Sequence, residues 1–102
     1  MYQTIREYQT SPQSINEILV KDEKSFVPFV TNAPGFRDYT CIDGGNGTLT
    51  SVSLFENRVD GEKFNELAKT WVHENLGSLM PTAPRVITGE VRTHATGKVL
   101  AS

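Results

Sequence analysis

The sequence predicts one α+β domain with the element order β-α-β-β-α-β. Two observations carry the prediction. Apolar residues recur first at the two-residue step of a strand and then at the 3.6-residue step of a helix, and this switch occurs twice. The third strand, in addition, places apolar side chains on both of its faces, so each face needs a cover. At 102 residues the chain is one domain by length. Such a chain buries about two-thirds of its unfolded surface, enough for a modest core.

Residues 2–9 read as the first strand, with Tyr2, Ile5 and Tyr8 supplying β-favouring bulk. "TSPQS" stops it. Ser11 suits a helix cap, and Pro12 suits the first helical position, where an N–H would have no partner. Ile15, Ile18, Leu19, Phe26 and Val30 follow at helical spacing, and Asp22 interrupts their stripe. The pattern predicts a helix to about Asn32, kinked near Pro28 and ended by "NAPG". Residues 36–43 form the second strand and lead into the glycine-rich turn "DGGNG". The sequon at Asn46 is therefore expected to be a turn and not a glycosylation site. "TLTSVSLFE" is the third strand, with Leu49, Val52, Leu54 and Phe55 apolar and Ser51 and Ser53 between them. Asp60 is expected to cap the second helix, with Glu62 in its first turn near the positive end of the dipole. Phe64, Leu67, Ala68, Trp71, Val72, Leu76 and Leu79 then form an i, i+3, i+4, i+7, i+8 stripe. Gly77 ends this helix, before Pro81. Residues 85–94, "RVITGEVRTH", are the last strand. The domain is thus expected to be residues 1–94, with 95–102 expected to be a flexible tail.

Composition narrows the partners. Hydrophobic residues make up 37% and charged residues 22%, which is globular rather than disordered. Ten Lys+Arg stand against 12 Asp+Glu with no block of one sign, so no nucleic-acid partner is expected. No apolar run approaches membrane-spanning length, so no membrane is expected either. The single cysteine, Cys41, excludes an internal disulfide and suits a reducing compartment. The N-terminus lacks a signal-peptide core. Together these predict a soluble cytoplasmic protein.

The element order is that of the ferredoxin-like, or split βαβ, arrangement with an antiparallel four-stranded sheet. Three stretches go beyond topology. "APGF" (33–36) leads into the second strand, "SVSLFEN" (51–57) leads into the second helix, and "GEV" (89–91) lies in the last strand. With them, residues 1–94 resemble the superfamily of antibiotic-biosynthesis-type monooxygenase domains. The resemblance implies a dimeric α/β barrel, a homodimer in which two sheets meet face to face. The residues agree independently. A monomer would expose a sheet of Leu, Val and Phe, which a second copy covers. The resemblance also implies a cavity between sheet and helices. In some members a small aromatic or quinol-type compound is oxygenated there without a cofactor.

"WVHENLG", residues 71–77, is the motif to test. It begins like a zinc-protease helix, but HExxH needs a second His where Gly77 stands, so no metal site is expected. Haem-degrading members of the superfamily use an Asn from the first strand with a Trp and a His from the second-helix region. Here the first strand offers Gln3, Thr4 and Arg6 and no Asn, and Trp71 and His73 lie about 200° apart on a helix. Quinone-forming members place an Asn shortly before a Trp. Asn65 precedes Trp71 by six residues, a spacing for a different face, while Asn75 follows by four and shares its face in reversed order.

The pocket-lining candidates are therefore Trp71, Asn75, Tyr39, Arg6 and His94. Core packing is the plainer role for Trp71, solvent exposure for His73, and strand packing for Cys41. Glu90, Arg92 and His94 share one face of the last strand as the best titratable cluster, and Arg6 is expected to pair with Glu90 from the neighbouring first strand. Two functions remain open. One is a cofactor-independent monooxygenase. The other is a non-enzymatic small-molecule-binding or stress-associated dimer. Neither calls for a cofactor.

Overall fold

The computed structural model describes residues 1–97. Four strands, β1 (Tyr2–Gln9), β2 (Phe36–Gly45), β3 (Thr48–Phe55) and β4 (Arg85–Glu90), form one antiparallel sheet in the order β2-β3-β1-β4. α1 (Ile15–Lys21) and α2 (Val27–Thr31) lie in the first crossover and α3 (Arg58–Leu76) in the second. This is the expected ferredoxin-like α+β arrangement. No helix among the described residues is long and apolar enough to cross a membrane.

The sheet's alternation decides what the helices meet. Tyr2, Thr4, Arg6 and Tyr8 of β1 are buried, with Phe55, Ser53, Ser51 and Leu49 opposite them on β3. The helices cover this face in two apolar clusters. One joins Tyr8, Ile15, Ile18, Leu49, Leu76 and Met80; the other joins Phe26, Val30, Phe55, Phe64 and Ala68. Trp71 packs against both. Each fully buried large side chain contributes roughly 1.5–3 kcal/mol. Gly61 has a packing reason, since a Cβ there would run into the Tyr2 ring. The other face carries Ile5 in register with Val52 on one side and Ile87 on the other, and Ile87 is 57% exposed.

The first crossover departs from a simple helix. A 3-10 turn, Pro12–Ser14, opens it, and a π turn, Asp22–Phe26, separates α1 from α2. Ile18, Asp22, Phe26 and Val30 recur every four residues. On a 3.6-residue helix three such steps drift by about 120°. The wider π turn, closed by Val27 N–H to the Asp22 carbonyl, absorbs the drift and keeps these residues on one side. The irregularity therefore falls ahead of Pro28 and not at it. Ser11 caps nothing with its side chain, and its hydroxyl bonds Gln13 instead.

α3 also corrects an expectation. Asn57, not Asp60, is its cap: Asn57 Oδ1 accepts from Asp60 N–H at 2.9 Å, and Asn57 Nδ2 donates back to the Asp60 carboxylate at 3.0 Å. Glu62 pairs with Arg58 along the surface instead. Leu67 leaves the apolar stripe and is 55% exposed, because it lies about 100° around the helix from buried Ala68. Asn46 and Gly47, both at positive φ, make the β2–β3 turn expected at "NGT".

β4 ends at Glu90, four residues short of the expected strand. Its partner β1 begins at Tyr2, so the ladder runs out after Val91 N–H reaches the Met1 carbonyl at 2.8 Å. Val91, Arg92 and Thr93 then line a hollow of about 300 Å³ with Gln3, Ile5 and Ile87 on the outer face. Residues 95–97 of the expected tail have no regular structure, and 98–102 lie outside the described residues.

Candidate functional site

Arg6 is the central oddity of the buried sheet face. Strand alternation points it at the helices between Tyr8 and Thr4, and it is 7% exposed. Burying a charge costs roughly several kcal/mol unless a partner offsets it. Among the described residues no carboxylate lies within ion-pair distance of this guanidinium, and both ion pairs, Arg37–Glu56 and Arg58–Glu62, lie on the surface. Burial lowers the pKa of Arg6, with Tyr8 and Tyr39 opposing the shift; a guanidinium nonetheless stays charged.

A neutral network holds Arg6 in place. Its Nη2 donates to Asn65 Oδ1 at 2.8 Å. Asn65 Nδ2 donates to Thr4 Oγ1 at 2.9 Å, and Thr4 and Thr88 share a hydroxyl contact at 2.8 Å. Thr88 in turn donates to the Gln3 carbonyl at 3.2 Å. This chain of donors fixes which way the Asn65 amide points, so its oxygen must face the arginine. The expected Arg6–Glu90 pair does not form: in register Arg6 faces Val86, and Glu90 faces Tyr2.

Two spaces meet at Arg6. The first is a void of about 30 Å³ between sheet and helices, with Arg6 on one wall and Asp22, Tyr39 and Cys41 on another. It has room for a water or two and none for an aromatic ring. Aromatic packing has filled the rest: Phe26 lies 5.0 Å from Trp71, 5.3 Å from Tyr39 and 5.9 Å from Phe64, centroid to centroid. The Tyr39 hydroxyl donates to Asp22 Oδ1 at 2.6 Å. Burial raises the Asp22 pKa, partly offset by that bond. Burial and then the Asp22 hydrogen bond raise Tyr39, and burial with Asp22's charge pushes the Cys41 thiol up to about 11. Cys41 is thus a protonated thiol at neutral pH, not a nucleophile.

The second space is an open cleft of about 370 Å³ between α3 and the β1–β4 edge. Arg6 and Asn65 form its polar floor, Val72, Pro84 and Val86 its apolar walls, and Glu66 and Lys69 its exposed rim. A shallower groove of about 620 Å³ adjoins it and takes in His73 and Gly77.

The five expected pocket residues divide. Arg6 lines both spaces, and Tyr39 and Trp71 line the inner void. Asn75 does not: it is exposed and donates to the Trp71 carbonyl at 2.8 Å. His94 is exposed beyond the end of β4, so the Glu90–Arg92–His94 strand face is never assembled. Two residues that the structure brings to these spaces were not among the expected ones. Asp22 had a signal, a carboxylate in an apolar stripe. Asn65 had only a faint one, a polar residue one step from buried Phe64.

No family model matches the chain, and no curated protein matches it in sequence. Solved structures do. A protein of unknown function from Nitrosomonas europaea, NE2512, is similar at TM-score 0.76 and 12% identity, covering 96% of this chain and 95% of its own. The monooxygenase ActVA-Orf6 of Streptomyces coelicolor, solved with nanaomycin D, is similar at 0.76 and 13%, covering 95% and 92%. The haem degrader MhuD of Mycobacterium tuberculosis, solved with two haems in its active site, is similar at 0.72 and 14%, covering 94% and 100%. The sheet order, the helix-covered face and these likenesses lead to one conclusion: the chain has the fold of the antibiotic biosynthesis monooxygenase-like proteins.

Proposed function

We propose that the chain is a cytoplasmic homodimer whose Arg6–Asn65 cleft binds a small quinol-type aromatic compound and oxygenates it without a cofactor. The cleft is the observation that carries this. Its size lies in the range of small-molecule sites, roughly 300–1,000 Å³, and it combines apolar walls with a few convergent polar groups. The likeness to a monooxygenase solved with nanaomycin D supports the class of ligand. In such a reaction the bound aromatic gives up a proton and its carbanion passes an electron to dioxygen. The two radicals join as a peroxide anion, which takes up the released proton, and loss of water leaves the quinone. One oxygen atom stays in the product and the other leaves as water. The protein's part is to hold the ring against Val72 and Val86, exclude water, and present N–H donors from Arg6. The lone Cys41 supports a reducing compartment.

A second reading, binding without turnover, has one observation in its favour. The carboxylate in the inner void, Asp22, is engaged by Tyr39, so the cleft floor offers donors and no base. An oxygen electrode and a thermal-shift assay with anthrone- and quinol-like compounds separate the two. Oxygen uptake with quinone formation supports oxygenation. A thermal shift without uptake supports binding alone, and the absence of both removes support from each.

Haem held in the degrading mode does not fit these residues. That mode needs an Asn from the first strand, where β1 offers Gln3, Thr4 and Arg6, and Trp71 lines the inner void while His73 opens on the outer groove. A haemin titration with a Soret shift that His73→Ala abolishes would contradict this.

A further inference from the structure

We infer that the cleft takes its ligand as an anion, a carboxylate or an ionised phenol, and that Arg6 is the residue that reads the charge. The inference rests on the cleft being the ligand site. Three observations on the molecule point to it. Arg6 is 7% exposed, and among the described residues no carboxylate lies within ion-pair distance of its guanidinium. Among the described residues its side-chain partner, Asn65, is neutral and is held with its oxygen toward Arg6 by the Thr4–Thr88 hydroxyls, so one fork of the guanidinium is anchored and its charge remains open. The same side chain forms the floor of a space large enough for an aromatic ring.

The other charged groups around the cleft do not change the sign at its floor. Glu66 and Lys69 are exposed at the rim, of opposite sign, and screened by water. Tyr8, the other titratable group on the wall, has its pKa raised by burial and is neutral at physiological pH. The depth of the cleft is therefore singly positive and poorly solvated. In such a place an anion gains a charge-assisted hydrogen bond from a planar fork of donors. A neutral isostere desolvates the same donors and returns less. This also accounts for the cleft floor having no base. A ligand that arrives ionised, or whose acidity rises beside a guanidinium, needs no carboxylate to take its proton.

The test compares naphthoate with its neutral isostere naphthamide, by calorimetry and by the shift of the Asn65 side-chain amide in NMR titrations. Wild type is expected to bind the acid at least ~10-fold more tightly than the amide, as a charge-assisted contact in a desolvated site requires. Arg6→Met is expected to erase that preference. It should also raise the melting temperature of the unliganded protein, because it removes an uncompensated buried charge. Arg6→Lys, which keeps the charge without the fork, should retain a weaker preference, and it serves if Arg6→Met does not fold. Lys69→Met, at the rim, should alter affinity by no more than ~3-fold. Equal binding of acid and amide by wild type overturns the inference and leaves the cleft standing. So does an Arg6→Met protein that melts lower yet still prefers the acid, since its arginine was then structural. Binding of neither compound refutes the cleft itself.

Discussion

At Asp22 a carboxylate breaks an apolar stripe, and its partner, the Tyr39 hydroxyl, comes from a strand 17 residues on. Burial raises its pKa above the ordinary 3.8, and the Tyr39 bond offsets only part of that. The sign follows from linkage. The folded state holds this proton more tightly than the unfolded state, so rising pH costs stability between 3.8 and the raised value. Wild type is thus expected to lose stability relative to Asp22→Asn across that window. Urea melts of both proteins at several pH values check this, and a constant difference would contradict it. Trp71 sits beside this group, 5.0 Å from Phe26 and 6.4 Å from Phe29. Trp71→Phe should cost about 1–3 kcal/mol. Trp71→Ala should cost more, up to roughly 3–5 kcal/mol if the half-buried indole counts as fully buried. Because Trp71 lines the inner void and not the cleft, neither change should alter ligand affinity in the cleft. A marked loss of affinity in Trp71→Phe would place the ligand in the inner space instead.

Among the elements, α3 depends on its cap. Asn57 and Asp60 exchange hydrogen bonds around the first turn, and the helix then carries Phe64, Asn65 and Ala68 onto the sheet. Asn57→Ala is expected to cost about 1 kcal/mol. In a domain of this size that lowers the melting temperature by about 4–8 °C. Asn57→Ser should recover most of the loss, because a serine oxygen still accepts from the turn. Differential scanning calorimetry of the three proteins decides it, and an alanine variant melting with wild type would show that the cap is idle. The first crossover makes a different point about elements. Its four-residue spacing was visible in the sequence, and it is the same spacing that the π turn accommodates.

For the whole molecule, the outer sheet face is the feature without an internal explanation. Ile5, Val52 and Ile87 stand in one register row across three strands, Ile87 is exposed beside the hollow that residues 91–93 help to line, and Ile42 is exposed on β2. A second copy placed on this face covers that row. Light scattering of wild type at micromolar concentration should give twice 11.3 kDa. Val52→Asp should give 11.3 kDa with unchanged far-ultraviolet circular dichroism, because the substituted side chain faces away from the helices. A folded wild-type monomer would refute the dimer.

The sequence by itself determined the order of elements, the apolar stripes of the two crossovers and the β2–β3 turn. Each follows from contacts close in sequence or from a period that repeats over many residues, as with Phe64, Ala68 and Leu76 on α3. It also put Arg6 and Tyr39 among the pocket candidates, without telling which face of the sheet carries Arg6. Tertiary structure alone decided where β4 stops, since the ladder ends when β1 runs out of residues to pair with Val91 and beyond. That lost His94; the Arg6–Glu90 pair was lost to register, which sets Arg6 opposite Val86 and Glu90 opposite Tyr2. It alone chose Asn65 over Asn75, since both are polar residues near the apolar face of one helix. Which of them meets Arg6 depends on where α3 crosses the sheet, and that distance spans 59 residues of chain. Local pattern carries no information about a crossing of that kind; the packing of both core clusters fixes it.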